Sequence, residues 1–308
     1  MWNADKLYYN GESGFIAAYV GNTLVWKLIE GGIKLFISSI DEGKTAVWNG
    51  QNLFVGWNTL DLTTLPMTSS FYPPLSKIDA TISEISFDGF SYDKLTYITD
   101  FLWNNSSREY INIDKLILTN SVFTTITRLC FSTDANTNKT LNIGTIEGTN
   151  IYLPNCESLT HCFKNLKCSN FNLSVIEAPS LISCEYMFAN AQIEKAPRFI
   201  DSKIINMNHM FNGSSVKEIP IMDCENTNYT NSAFKNCTEL TTVGGFTNLT
   251  KGISFNSSPL TAESVENIGN TIGEVKSAAI GFSQHTENLL TDELRALFTN
   301  KGWVITIS

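Results

Sequence analysis

Lysine and arginine are scarce in this chain and nowhere clustered: 21 in 308 residues against 30 aspartates and glutamates, a formal net charge of −9. That balance offers no cationic surface to nucleic acid or an anionic membrane, both of which need gathered Lys and Arg. Long apolar runs are missing too. No stretch of about 18 apolar residues could span a bilayer, so no membrane insertion is expected. The opening "MWNADKLYYNGESGFIAAYVGN" lacks a basic start leading into an apolar segment, and a protein made in the cytoplasm is expected. None of the seven cysteines sits in a CxxC pair, and an odd number closes no complete disulfide set. They read as small buried apolar residues, including Cys156, Cys162 and Cys168, whose even spacing of six would otherwise suggest a metal site. GxxxxGK[ST], GxGxxG, HExxH and GxSxG patterns are all absent. The three histidines are solitary, and no carboxylate pair is singled out by its context. No catalytic residue, metal ligand or cofactor is therefore nominated, and the expectation is a non-enzyme.

What is present is a repeat. Hydrophobic residues make up 43% of the chain, ample for a core, and Asn, Thr and Ser supply most of the polarity, as in strand surfaces and tight turns. The phrases "CEYMFANAQIEKAP" and "MNHMFNGSSVKEIP" share an apolar skeleton while nearly every polar letter differs. Aligned on their aromatic, they belong to a series Phe163, Phe188, Phe211 and Phe234, whose numbers step by 25, 23 and 23. That is a solenoid period. Each Phe follows Cys162, Met187, Met210 or Ala233, and two residues later stands Asn165, Asn190, Gly213 or Asn236. Pro154 and Pro179 recur in phase, as do Pro197 and Pro220, and proline marks a recurring corner because it cannot donate to a ladder. One such coil cannot bury its own apolar edge, so neighbours must stack theirs into a common column. His161 and His209, each two residues before an anchor, share a repeat position and so read as packing or capping groups.

The expected architecture is a β-rich α/β solenoid. Residues 59–255 form the array, irregular to about 150, where strand starts at Ile78, Leu95, Leu116 and Leu141 are unevenly spaced. Residues 256–308 are terminal strand–helix repeats closing the array. There, Ile253, Ala278 and Trp303 stand 25 apart, as do Phe255, Ile280 and Ile305. A helix is predicted from Thr261 to about Ile272, and another from an N-cap at Thr291 with Asp292 and Glu293 in its first turn, stopped at Gly302. Residues 1–58 lack the repeat and read as a small all-β module with turns at Asn10-Gly11 and Asn49-Gly50 and a hinge at Gly31-Gly32. Its aromatics serve either as core or as an interface, with Tyr8, Tyr9 and Trp26 the candidate docking residues.

Between the anchors lie charged positions that swap order from coil to coil: Glu194-Lys195, then Lys217-Glu218, with Thr241-Thr242 at the matching place in the next. They are either solvated decoration or a graded recognition face of the strand-lined kind that solenoids use.

The stretches "MFANAQIEKAPRF", "MFNGSSVKEIPIM" and "AFKNCTELTTVGGF" resemble the BspA-like leucine-rich repeats, although the last lacks the proline after Val243. The ending from "SSPLTAESVENIGNTI" to "WVITIS" is similar to the tail closing such arrays in bacteriophage and prophage proteins, and the opening looks like short modules of phage structural proteins. The resemblance implies a surface-exposed binding protein without catalysis. Cellular members need an export signal or anchor, whereas a virion protein assembled in the host cytoplasm needs neither. The expectation is therefore a virion-associated structural or adhesion protein, a head or tail fibre or decoration subunit. Residues 1–58 would dock on other virion proteins, and the array would meet a host-surface glycan or protein. A homo-oligomer is left open. The alternatives are a bacterial cell-surface adhesin and a polysaccharide-degrading phage enzyme.

Overall fold

Strands pair in two styles along this chain, antiparallel near the start and parallel thereafter. The computed structural model describes residues 33–60, 78–88, 112–119 and 140–308, with Leu75, Ser121, Phe123 and 129–131; for Lys6–Asn10, Gly14–Val20, Thr23–Lys27, Tyr97–Ile98, 110–111 and Arg128 it describes the backbone alone. Strands β1 (Lys6–Asn10), β2 (Gly14–Val20) and β3 (Thr23–Lys27) form an antiparallel sheet in that order. Next come β4 (Lys34–Ile40), the two-residue hairpin strands β5 (Val47–Trp48) and β6 (Gln51–Asn52), and β7 (Gly56–Thr59). The hairpin turns through Asn49 and Gly50, φ +46° and +80°, the two positive values that a twisted two-residue turn demands. The hinge expected at Gly31-Gly32 and the turn residue Gly11 lie outside the described residues.

A sheet of six strands follows, ordered β14-β12-β10-β8-β4-β7. It joins β8 (Ala80–Ser86), β10 (Tyr110–Ile117), β12 (Thr140–Glu147) and β14 (Leu166–Phe171) in parallel, while β9 (Tyr97–Ile98) and β11 (Arg128–Leu129) pair separately and β13 (Asn150–Tyr152) starts another sheet. Because β4 pairs antiparallel with both β8 and β7, residues 34–59 belong to the sheet of the first coils. The expected boundary at residue 58 falls inside β7. Pairing with β4 covers the edge of β8, which would otherwise present unpaired backbone groups.

The parallel register runs Ile85, Leu116, Ile146, Phe171. The steps between these four partners shorten along the chain and are not constant. The strand starts expected upstream were thus out of phase: Leu116 lines up with Ile146, while Leu141 pairs with Ile111, and Leu95 lies outside the described residues. From β14 onward the coils are short. Strands β15 (Val175–Glu177) and β16 (Arg198–Ile200) stack on β13, β17 (Glu218–Ile219) pairs β19 (Thr242–Val243), and β18 (Met222–Asp223) pairs β20 (Phe246–Thr247), all in parallel. A further line of parallel bridges joins Ser158, Ser183, Asn206 and Tyr229. The two pairs of in-phase prolines flank strands: Pro154 and Pro179 follow β13 and β15, whereas Pro197 and Pro220 precede β16 and β18.

Each repeat bends sharply around its anchor. Two residues before it, His161, Tyr186, His209 and Ser232 are all left-handed, φ +52° to +60°; two residues after it, so are Asn165, Asn190, Gly213 and Asn236, φ +54° to +72°. Glycine and asparagine suit that backbone; His, Tyr and Ser occupy it at a cost. The cost is offset by a ladder between coils: the amides of Tyr186, Phe188 and Asn190 donate to the carbonyls of Asn208, Met210 and Asn212 at 3.0, 2.8 and 2.8 Å. The coils on either side repeat the arrangement. The bend sends the phenyl ring inward. Rings of Phe163 and Phe188 stack at 5.5 Å and 11°, Phe188 and Phe211 at 5.3 Å and 9°, Phe211 and Phe234 at 5.5 Å and 9°, all fully buried. The column continues upstream through Phe131 to Phe87 and downstream through Phe255 and Phe282 to Phe298. His161, Tyr186 and His209 stack outside it, at 5.2 and 4.4 Å. Buried hydroxyls tie successive coils, with Ser214 Oγ donating to Ala191 O at 3.0 Å and Thr227 Oγ1 to Ile204 O at 2.8 Å.

At the far end β21 (Ile253–Phe255), β22 (Ala278–Phe282) and β23 (Trp303–Ile307) form a parallel sheet with helices α1 (Ala262–Thr271), α2 (Gln284–Glu287) and α3 (Asp292–Thr299) between them. A boundary after residue 255 parts β21 from its partner. Ile253 pairs with Ile280, not Ala278, so that coil is two residues longer than expected, and the even spacing holds only from β22 to β23. A two-residue offset leaves every side chain on its own face, which is why the pattern looked in phase. Among the described residues no helix is long and apolar enough to cross a membrane.

Candidate functional site

Six successive coils of the parallel array carry the same four-residue device: an inward apolar residue, two outward residues, and a second inward apolar residue. It reads Ile113-Asp114-Lys115-Leu116, Ile143-Gly144-Thr145-Ile146, Cys168-Ser169-Asn170-Phe171, Ile193-Glu194-Lys195-Ala196, Val216-Lys217-Glu218-Ile219 and Leu240-Thr241-Thr242-Val243. Strict alternation would place only one residue outward between two inward ones; here a local irregularity turns out two. Parallel pairing sets the first three coils side by side, a bridge from Lys167 to Gln192 carries the register onward, and the amides of Lys217 and Thr241 donate to the carbonyls of Glu194 and Lys217. The outward pairs thus form one ribbon, two residues wide, across six coils.

The sequence-nominated face, Glu194, Lys195, Lys217, Glu218, Thr241 and Thr242, is one end of this ribbon. The swap of order between Glu194-Lys195 and Lys217-Glu218 has a simple consequence: each charge lies beside its opposite. Lys217 Nζ meets Glu194 Oε1 at 2.9 Å and Lys195 Nζ meets Glu218 Oε1 at 2.5 Å. The hydrogen bond from Lys217, with its charge, holds the Glu194 carboxyl below its usual range, and the same bond holds the Lys217 ammonium above its own. Charges neutralised in exposed pairs add little stability and leave little for a ligand.

The opposite end of the ribbon is different. Gly144 presents no side chain between Asp114 and Ser169, and a Cβ there would lie 2.7 Å from the Asp114 carbonyl oxygen. The glycine is therefore needed for the close approach of the two strands, and a groove of about 470 Å³ runs alongside. One wall is a row running across the strands: Asn112, Asn142, Lys167 and Gln192. Asn142 Nδ2 donates to Asn112 Oδ1 at 2.6 Å. Asp114 and Ser169 stand on either side of Gly144, and Ile113 and Ile143 close the floor from inside. Lys115 turns away to Glu147, at 2.9 Å, and this hydrogen bond raises its pKa. Asp114 and Lys167 have no ion-pair partner among the described residues. Neither was nominated from the sequence, because the uneven spacing of these coils hides the phase and a missing side chain leaves no letter to notice.

Phe163, Phe188, Phe211 and Phe234 are core; Pro154 and Pro179 stand in turns, and Pro197 and Pro220 lie just before strands. Tyr8, Tyr9 and Trp26 lie in β1 and β3, whose side chains are outside the described residues. The cysteines form no disulfide, all are buried but the half-buried Cys168, and burial pushes the thiols of Cys156, Cys224 and Cys237 up to about 11, 12 and 12. Among the described residues no group of three His, Cys, Asp or Glu side chains gathers as metal ligands. Compared with protein-family models, curated proteins and solved structures, the chain matches none.

Proposed function

We propose that this chain is a leucine-rich-repeat solenoid of the BspA-like kind, acting as a non-enzymatic adhesion or decoration protein of a virus particle. In this reading the parallel array meets the host surface and the amino-terminal strands attach to other particle proteins. The observation that carries the binding role is the ribbon: six coils turn two residues each, all polar but Gly144, onto one continuous strand-lined surface, charge-neutralised at one end and grooved at the other. Surfaces of that shape suit extended ligands, and many copies on one particle would raise a weak contact to useful avidity. Particle location rests on the resemblance of the repeats and of the ending to phage proteins.

Mass spectrometry of purified particles tests the proposal. The chain should be found among the structural proteins, and a deletion of residues 1–32 should leave it out of the particle while the array remains folded. Recovery in the bacterial cell-wall fraction, with none in particles, would favour the cell-surface adhesin. Release of sugar fragments from host polysaccharide by the purified chain would favour the degrading enzyme.

A further inference from the structure

We propose that the groove over Gly144 is a subsite for a neutral, hydroxyl-rich saccharide; the assignment rests on the host-surface reading above and names its ligand. The groove's polar groups are of the kinds that hydroxyls satisfy. Asp114 accepts, and its two oxygens can take a pair of neighbouring hydroxyls. Lys167 donates. Asn112, Asn142 and Gln192 each offer both a donor and an acceptor on one amide. Ser169 does the same on the far side of Gly144.

Charge selects the class. Asp114 and Lys167 bring one charge of each sign, so the groove is balanced, while the chain as a whole stands at −9. A polyanion would meet an unpaired carboxylate in the groove and a repelling field around it. A polycation would meet Lys167. An aromatic ligand would find no ring to stack on, since none lines the groove. A neutral polyol faces none of these penalties.

Geometry fits a chain better than a single sugar. The row Asn112, Asn142, Lys167, Gln192 has one residue from each of three adjacent strands and one from the bridge beyond them, about 4.8 Å apart, a step on the scale of one pyranose ring. A saccharide laid across the strands would meet a fresh polar side chain at every ring.

Calorimetric titration of the full chain with hexamers of glucan, mannan and galactan, and with a polyuronate of equal length, tests this directly. At least one neutral hexamer should bind, and Asp114→Asn and Gln192→Ala should each weaken it by about tenfold, the loss expected for hydrogen bonds of this kind. Glu266→Gln, exposed on α1 and away from the ribbon, should bind as the parent does. Circular dichroism melting would show that these exposed substitutions leave the fold intact. Neutral binding unaffected by Asp114→Asn and Gln192→Ala would overturn the groove assignment and leave the host-surface reading standing. Tighter binding of the polyuronate would overturn the ligand class. No binding of any hexamer, with adsorption lost from particles lacking the chain, would overturn the saccharide and keep the host-surface reading; normal adsorption without the chain would remove both.

Discussion

Asn236 shows how much one residue's backbone decides. Its φ of +59° closes the bend after Phe234, a conformation asparagine tolerates, glycine adopts freely and a β-branched residue resists. Asn236→Gly should change stability little, whereas Asn236→Val should lower it by about 1–3 kcal/mol, read from chemical denaturation. Equal stability of the two variants would mean that the bend does not depend on that residue. The same logic explains why the polar letters of the repeat vary so widely. At the position two before the anchor, His, Tyr, His and Ser all occur, because the bend is held by backbone bonds to the next coil. Two of the three rings there were readable from the sequence as packing groups. That they form a stack with Tyr186 was not, since only the fold brings successive coils into register.

The helices were the most legible elements. Thr261 and Thr291 cap α1 and α3 through their side chains, Asp292 and Glu293 sit in the first turn of α3, and Gly302, φ +83°, lies in the turn beyond it. Such signals are local and survive without tertiary context. On α3, Phe298 is fully buried, and Leu294 and Leu297 are partly so. The four-residue helix α2, which holds His285, is too short to show a periodicity in sequence. Upstream registers were hidden for another reason. The coils from β8 to β12 are longer and hold extra segments, and a period is visible only when it is constant. One further cap depends on tertiary structure. Lys301 Nζ donates to the carbonyls of Gly269, Asn270 and Ile272, at 2.8, 3.1 and 2.9 Å, closing the end of α1 from a later coil. Lys301→Met should therefore destabilise the carboxy-terminal coils by about 1–2 kcal/mol. Hydrogen exchange should show α1 amides losing protection first. Unchanged exchange in α1 would rule the cap unimportant.

Over the whole molecule the coils share one core, and its buried thiols report on it. An ordinary cysteine ionises near 9.0, and burial raises Cys156 to about 11 and Cys224 and Cys237 to about 12, with Cys162 and Cys184 also well above 9.0. A thiol raised on folding stabilises the folded state fully below its unfolded value; that contribution is lost as pH rises through the folded value. Stability should therefore decline between about pH 9 and 12, and serine substitutions at Cys156 and Cys224 should flatten the decline. In the native state near neutral pH, Cys168 should react with thiol reagents ahead of the other cysteines, because it alone is half-buried. Rapid labelling of Cys162 or Cys184 would mean the coils open readily.

Stacked coils are the claim on which ribbon, groove and thiol burial all depend, and a double-mutant cycle on Phe188 and Phe211 tests it most directly. Their rings lie 5.3 Å apart and nearly parallel. Replacing each by leucine, alone and together, should give a coupling energy of about 0.5–1.5 kcal/mol by denaturant unfolding. Strict additivity of the two substitutions would contradict the column.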